Sequence, residues 1–65
     1  MAKIYCKDGL CISAGCVHGN GNWLAQVEGG KVVYFNEELN LPEEEKKKIE
    51  SFVDEAVAAP EDKYE

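Results

Sequence analysis

The sequence predicts an α+β domain: a four-stranded antiparallel β-meander with one C-terminal helix packed on one face, in the order ββββα. Two observations predict it. The dipeptides Asp8-Gly9, Asn20-Gly21 and Gly29-Gly30 punctuate the first 36 residues. Each supplies the positive φ that both central positions of a two-residue type I′ hairpin loop demand. After Asn36 the apolar period lengthens from two to 3.6, because Ile49, Phe52, Val53, Ala56 and Val57 recur at the spacing of one helical stripe.

The turns delimit strands at 2–7, 10–18, 23–28 and 31–36. The helix is expected to open on a capping box formed by Asn40 and Glu43, with Pro42 in the first turn and Glu43, Glu44 and Glu45 facing the positive end of the helix dipole. Pro60 should stop it near Ala59. Residues 1–60 therefore read as a single α+β domain and 61–65 as a flexible acidic tail. A chain of this size buries only ~60% of its unfolded surface, so its single core is thin and a metal, a disulfide or a second subunit is sought as a staple.

Side chains alternate across a pleated sheet, and a register set by three tight turns sorts them onto two faces. One face collects Tyr5, Leu10, Ile12, Ala14, Cys16, His18, Trp23, Ala25, Val27, Val32 and Tyr34. The other collects Ile4, Cys6, Cys11, Val17, Leu24, Val33 and Phe35, interrupted by Ser13, Gln26, Glu28 and Lys31. Both are substantially apolar, and one helix covers one face. An uncovered apolar sheet face is expected to serve as an interaction surface for another protein or for a second copy in a homodimer.

Charge is divided as sharply as hydrophobicity. Net charge is −6, with 13 acidic residues against 7 lysines and no arginine. Residues 1–36 are nearly neutral, whereas 37–65 carry eleven acids against four lysines, a net −7. That field repels nucleic acid and attracts basic protein surfaces, and without arginine the bidentate contacts of base and phosphate readout are missing. Apolar runs of only a few residues exclude a membrane span. The segment Met1 to Cys6 lacks the apolar core of a secretory signal, and three cysteines fit reduced thiols, so the expected location is cytoplasmic.

Cys6, Cys11, Cys16 and His18 supply the number and types of ligand for a structural zinc site, in the spacing C-x4-C-x4-C-x-H. The Asp8-Gly9 turn sets Cys6 opposite Cys11, within reach of one metal or, on oxidation, of each other. In the same register Cys16 and His18 fall on the opposite face, and only a bulge near Ser13-Ala14-Gly15 would reunite the four. The main expectation is therefore no cofactor, with the cysteines acting as small hydrophobes. The cysteine-rich start, the Gly30-Lys31-Val32 segment, the acidic helix and Ala58-Ala59-Pro60 resemble a single-cluster ferredoxin in order. Ferredoxins of that kind use C-x2-C-x2-C and a further cysteine before the late proline, where this chain has Ala59, so no cluster ligand carries over.

An enzyme is not expected, because the inventory holds one histidine, two serines and no threonine, and Cys16 with His18 is the one nucleophile and base pair at workable spacing. The function expected is a small non-catalytic protein-binding module, an inhibitor or adaptor of the sort phages and mobile elements encode against host enzymes. Its contact residues would be Tyr5, Trp23, Tyr34 and Phe35, with Glu37, Glu38, Glu43, Glu44 and Glu45 steering a basic partner. The alternative is a zinc-binding or redox module on Cys6, Cys11, Cys16 and His18.

Overall fold

A computed structural model describes residues 4–61; positions 2–3 of the expected first strand and all but Glu61 of the expected tail lie outside the described residues. One antiparallel sheet runs in chain order through β1 (Ile4–Lys7), β2 (Leu10–Ser13), β3 (Cys16–Gly19), β4 (Asn22–Glu28) and β5 (Lys31–Phe35). A 3-10 turn (Glu37–Leu39) then leads into α1 (Glu43–Ala58). The α+β meander with a C-terminal helix stands, with five strands in place of four, since the expected strand 10–18 folds back on itself as β2 and β3.

The additional hairpin turns at Ala14-Gly15, whose φ values of 51° and 78° repeat the positive pairs at Asp8-Gly9 (53° and 81°) and Asn20-Gly21 (53° and 76°). Alanine lacks the short polar side chain that eases Asn and Asp into the left-handed region, so the dipeptide carries little hairpin signal. Tertiary pairing imposes the conformation instead. Ser13 pairs with Cys16 across the turn, and the Val27 N–H donates to the Gly15 carbonyl at 2.7 Å.

That turn and the register shifts at Val17/His18 and Gln26/Val27 together reassign the faces: Cys16, His18, Trp23 and Tyr34 leave the side of Tyr5 and Ile12, and Val17, Leu24 and Phe35 join it, while Ala25, Val27 and Val32 keep it. Tyr5, Ile12, Val17, Ala25 and Phe35 now form a single row across all five strands. This face meets the helix. Tyr5, Leu10, Ile12, Val17, Ala25 and Val27 pack with Ile49, Phe52, Val53 and Ala56 into one core, and the Tyr5 and Phe52 rings sit 5.4 Å apart at 57°. The same shifts leave Leu24 without a partner on β3 and Val33 without one on β4. Leu24 turns onto the core, whereas Val33 is 54% exposed. Gly19 makes room for Leu24: a Cβ there would stand 3.0 Å from Leu24 Cδ1 and 3.1 Å from Leu10 Cδ2.

The expected capping box does not form. Asn40 adopts a left-handed conformation (φ 48°, ψ 51°) and closes the 3-10 turn by donating its N–H to the Glu37 carbonyl. The helix starts two residues later, with Pro42 as its N-cap and no side-chain hydrogen bond there. Glu43, Glu44 and Glu45 do occupy the first turn, and Ala59 is extended ahead of Pro60. Among the described residues no helix is long and apolar enough to cross a membrane.

Candidate functional site: the open sheet face

With α1 and Leu41 packed on one face, the sheet turns its other face outward. Two cross-strand rows build it. Ile4, Ser13, Cys16, Gln26 and Tyr34 make one row, and Cys6, Cys11, His18 and Trp23 make the other. Tall side chains gather at the β4–β5 side, where the Trp23 and Tyr34 rings stack with centroids 5.6 Å apart and planes 18° from parallel. Short ones gather at the β1–β2 side.

Asn36, at the end of β5, holds the aromatic pair in place. Its side-chain Nδ2 donates to the Trp23 carbonyl at 2.8 Å, its backbone N–H donates to the Leu24 carbonyl at 2.8 Å, and its Oδ1 accepts from the Glu38 N–H at 3.1 Å. One residue thus registers β5 against the start of β4 and launches the 3-10 turn. Sequence reasoning treated Asn36 as a mere boundary; the available signal was an asparagine directly after a strand and two residues before an acidic turn.

The residues expected at a partner surface divide. Trp23 and Tyr34 lie on the open face, Trp23 half-buried and Tyr34 48% exposed. Tyr5 does not: it is 5% exposed, beneath the helix against Phe52. Phe35 also belongs to the helix side, with the Lys46 ammonium 5.6 Å from its ring centroid. Tyr5 parts from Trp23 and Tyr34 through the reassigned faces, and Phe35, opposite that pair in either register, lies on the face the helix covers. Glu43, Glu44 and Glu45 are exposed at the start of the helix, behind the sheet, while Glu37 and Glu38 are exposed at its margin after β5. The acidic helix and the aromatic pair therefore face opposite directions.

All four residues of the cysteine and histidine set share the open face, contrary to the split expected from a continuous second strand. Cys6 and Cys11 face each other with Cα atoms 4.1 Å apart and are joined as a disulfide, which corrects the expectation of reduced thiols for this pair. Cys16 is a free, half-buried thiol. His18 is exposed directly across from Cys11. Among the described residues no group of three His, Cys, Asp or Glu side chains is gathered to hold a metal ion.

Among the described residues the Asp, Glu and Lys side chains of the open face balance: they are Glu28 and Lys31, which oppose one another across the β4–β5 pair. On the helix side Lys7 Nζ lies 3.4 Å from Glu55 Oε2, a bridge from edge strand to helix. The Glu55 carboxylate accepts from the ammonium and raises its pKa above the ordinary 10.5.

Fold and face together define a helix-backed antiparallel sheet with one open, neutral, aromatic side. The chain matches no protein-family model, no curated protein and no solved structure.

Proposed function

We propose that this chain is a small non-catalytic protein-binding module, an inhibitor or adaptor, that holds an uncharged apolar protein surface against the open face of its sheet. The observation that carries the reading is the Trp23–Tyr34 stack on the face the helix leaves uncovered. Aromatic residues combine large contact area with little side-chain entropy to lose, and they dominate interface energetics. The acidic helix behind the sheet offers a separate surface to a basic partner and acts mainly on association rate. The module thus has two sides of different chemistry rather than one combined patch.

Affinity capture from the native host, with wild-type protein beside Trp23→Ala and Tyr34→Ala, tests this. Capture that is lost in the aromatic variants and kept in a Glu43→Gln/Glu44→Gln/Glu45→Gln variant supports the open face. Capture indifferent to both aromatics sinks it.

A second reading, a zinc-binding or redox module, gains support from the sharing of one face by Cys6, Cys11, Cys16 and His18. Native mass spectrometry of the dithiol-reduced protein decides it: one zinc retained, and lost to chelator together with thermal stability, would favour this reading over docking.

A further inference from the structure

We infer that the occupant of the open face is a second copy of this chain, the two sheets stacking face to face about a two-fold axis that runs along β3. The inference rests on the docking reading and names its partner. Three features of the face point to it.

The first is charge. A surface whose charged residues, among the described ones, are Glu28 and Lys31 suits another neutral surface, and a copy supplies one. Sheets pack ~10 Å apart, and helices on their far sides add a similar distance each. The two acidic helices would then point outward, separated by well over the ~8 Å Debye length of physiological salt. The same −7 that would oppose a helix-to-helix dimer does not oppose this one.

The second is relief. An axis along the central strand of five carries β5 of one subunit over β1 of the other and β4 over β2, with strand directions aligned as in packed sandwiches. Tall side chains then meet short ones, the arrangement that fills a layer at constant spacing. Row for row, Trp23 covers Cys11 of the partner subunit and its disulfide, and aromatic rings make favourable contacts with sulfur. Tyr34 covers the partner's Ile4. Gln26 faces Ser13 of the partner subunit, within the chemistry of a hydrogen bond.

The third is size. Overall extents of 31 × 23 × 19 Å make a whole side of the molecule comparable with the ~800 Å² per partner of a standard interface. A second subunit is also one of the few staples open to a core this small.

The geometry makes a specific demand, because Cys16 sits on the open face of β3, the strand on the axis, and so meets Cys16 of the partner subunit. Sedimentation equilibrium at micromolar to millimolar concentration, combined with thiol-to-thiol cross-linking by a short-spacer bismaleimide, which joins cysteines on facing sheets that stand too far apart for a direct disulfide, tests it. The expected result is a dimer whose dissociation constant rises at least about tenfold in Trp23→Ala. The bismaleimide should yield a covalent dimer joined through the two Cys16 sulfurs that Cys16→Ser abolishes and that leaves Cys6–Cys11 intact in the peptide map. Tyr34→Ala, checked by circular dichroism, repeats the dissociation measurement should Trp23→Ala fail to fold. A monomer throughout the range, without the cross-link, overturns the second copy while host capture through Trp23 keeps the docking reading alive. A dimer that ignores both aromatics and never cross-links through Cys16 overturns the interface itself.

Discussion

Ala14 occupies a left-handed conformation (φ 51°) that an L-alanine adopts at a cost of roughly 1 kcal/mol or more, whereas asparagine visits it readily. Ala14→Asn creates the favoured Asn-Gly turn and is expected to stabilise the fold by about 0.5–1 kcal/mol, read as a rise of several degrees in the thermal midpoint. Gly15 tolerates no such freedom, since a Cβ at its φ of 78° would also stand 3.2 Å from the Val27 carbonyl oxygen. Asn36 is the other residue on which local geometry turns. Asn36→Leu removes the donor to the Trp23 carbonyl and the acceptor for the Glu38 N–H, so a loss of about 1–3 kcal/mol is expected. The emission of Trp23, the single tryptophan, should shift to the red as its strand end loosens; an unchanged spectrum would remove Asn36 as the positioning residue.

At the scale of elements, β1 is the strand whose attachment is easiest to test. Four residues long and at the edge of the sheet, it is held by pairing to β2, by the Tyr5–Phe52 contact, by the disulfide and by Lys7–Glu55. A disulfide closing so short a loop constrains the unfolded chain by about 2 kcal/mol in the chain-entropy model. Reduction, or Cys6→Ser/Cys11→Ser, should lower denaturant stability by that order, with the amides of β1 gaining hydrogen exchange before those of α1. The ion pair contributes less, being solvent-exposed and screened. Its sign is nonetheless defined. Lys7 has a raised folded-state pKa, so its contribution is complete below the ordinary value of 10.5 and is lost as pH climbs through the folded value. The stability difference between wild type and Glu55→Gln should therefore vanish in strongly alkaline solution, and the two proteins should unfold at the same denaturant concentration there.

Across the whole molecule, the governing feature is that the acidic first turn of the helix and the Trp23–Tyr34 pair lie on opposite sides of one sheet. Neutralising Glu43, Glu44 and Glu45 to glutamine should slow association with a basic protein and flatten its salt dependence, with little change in dissociation rate. Stopped-flow rates at two ionic strengths measure this; an equal effect on both rates would mean that the carboxylates make direct contacts.

What the sequence determined by itself were the features written into neighbouring residues: three of the four hairpins, spelled by Asp8-Gly9, Asn20-Gly21 and Gly29-Gly30, the helical stripe from Ile49 to Val57, and the acidic first turn. Local dihedral preference and periodicity suffice for those. Tertiary structure alone decided the rest. Ala14-Gly15 turns because strands pair on both sides of it, and that turn together with the register shifts at Val17/His18 and Gln26/Val27 decides which side chains face the helix, since the pleat has a period of two. Tyr5 consequently parted from Trp23 and Tyr34 for the helix side, where Phe35 also lies, and Cys16 and His18 joined Cys6 and Cys11 on the open one. The same long-range pairing displaced the helix cap from Asn40 to Pro42, because a 3-10 turn set by Asn36 claims Asn40 first. Parity on a sheet is a global quantity, fixed only when every strand has found its neighbour.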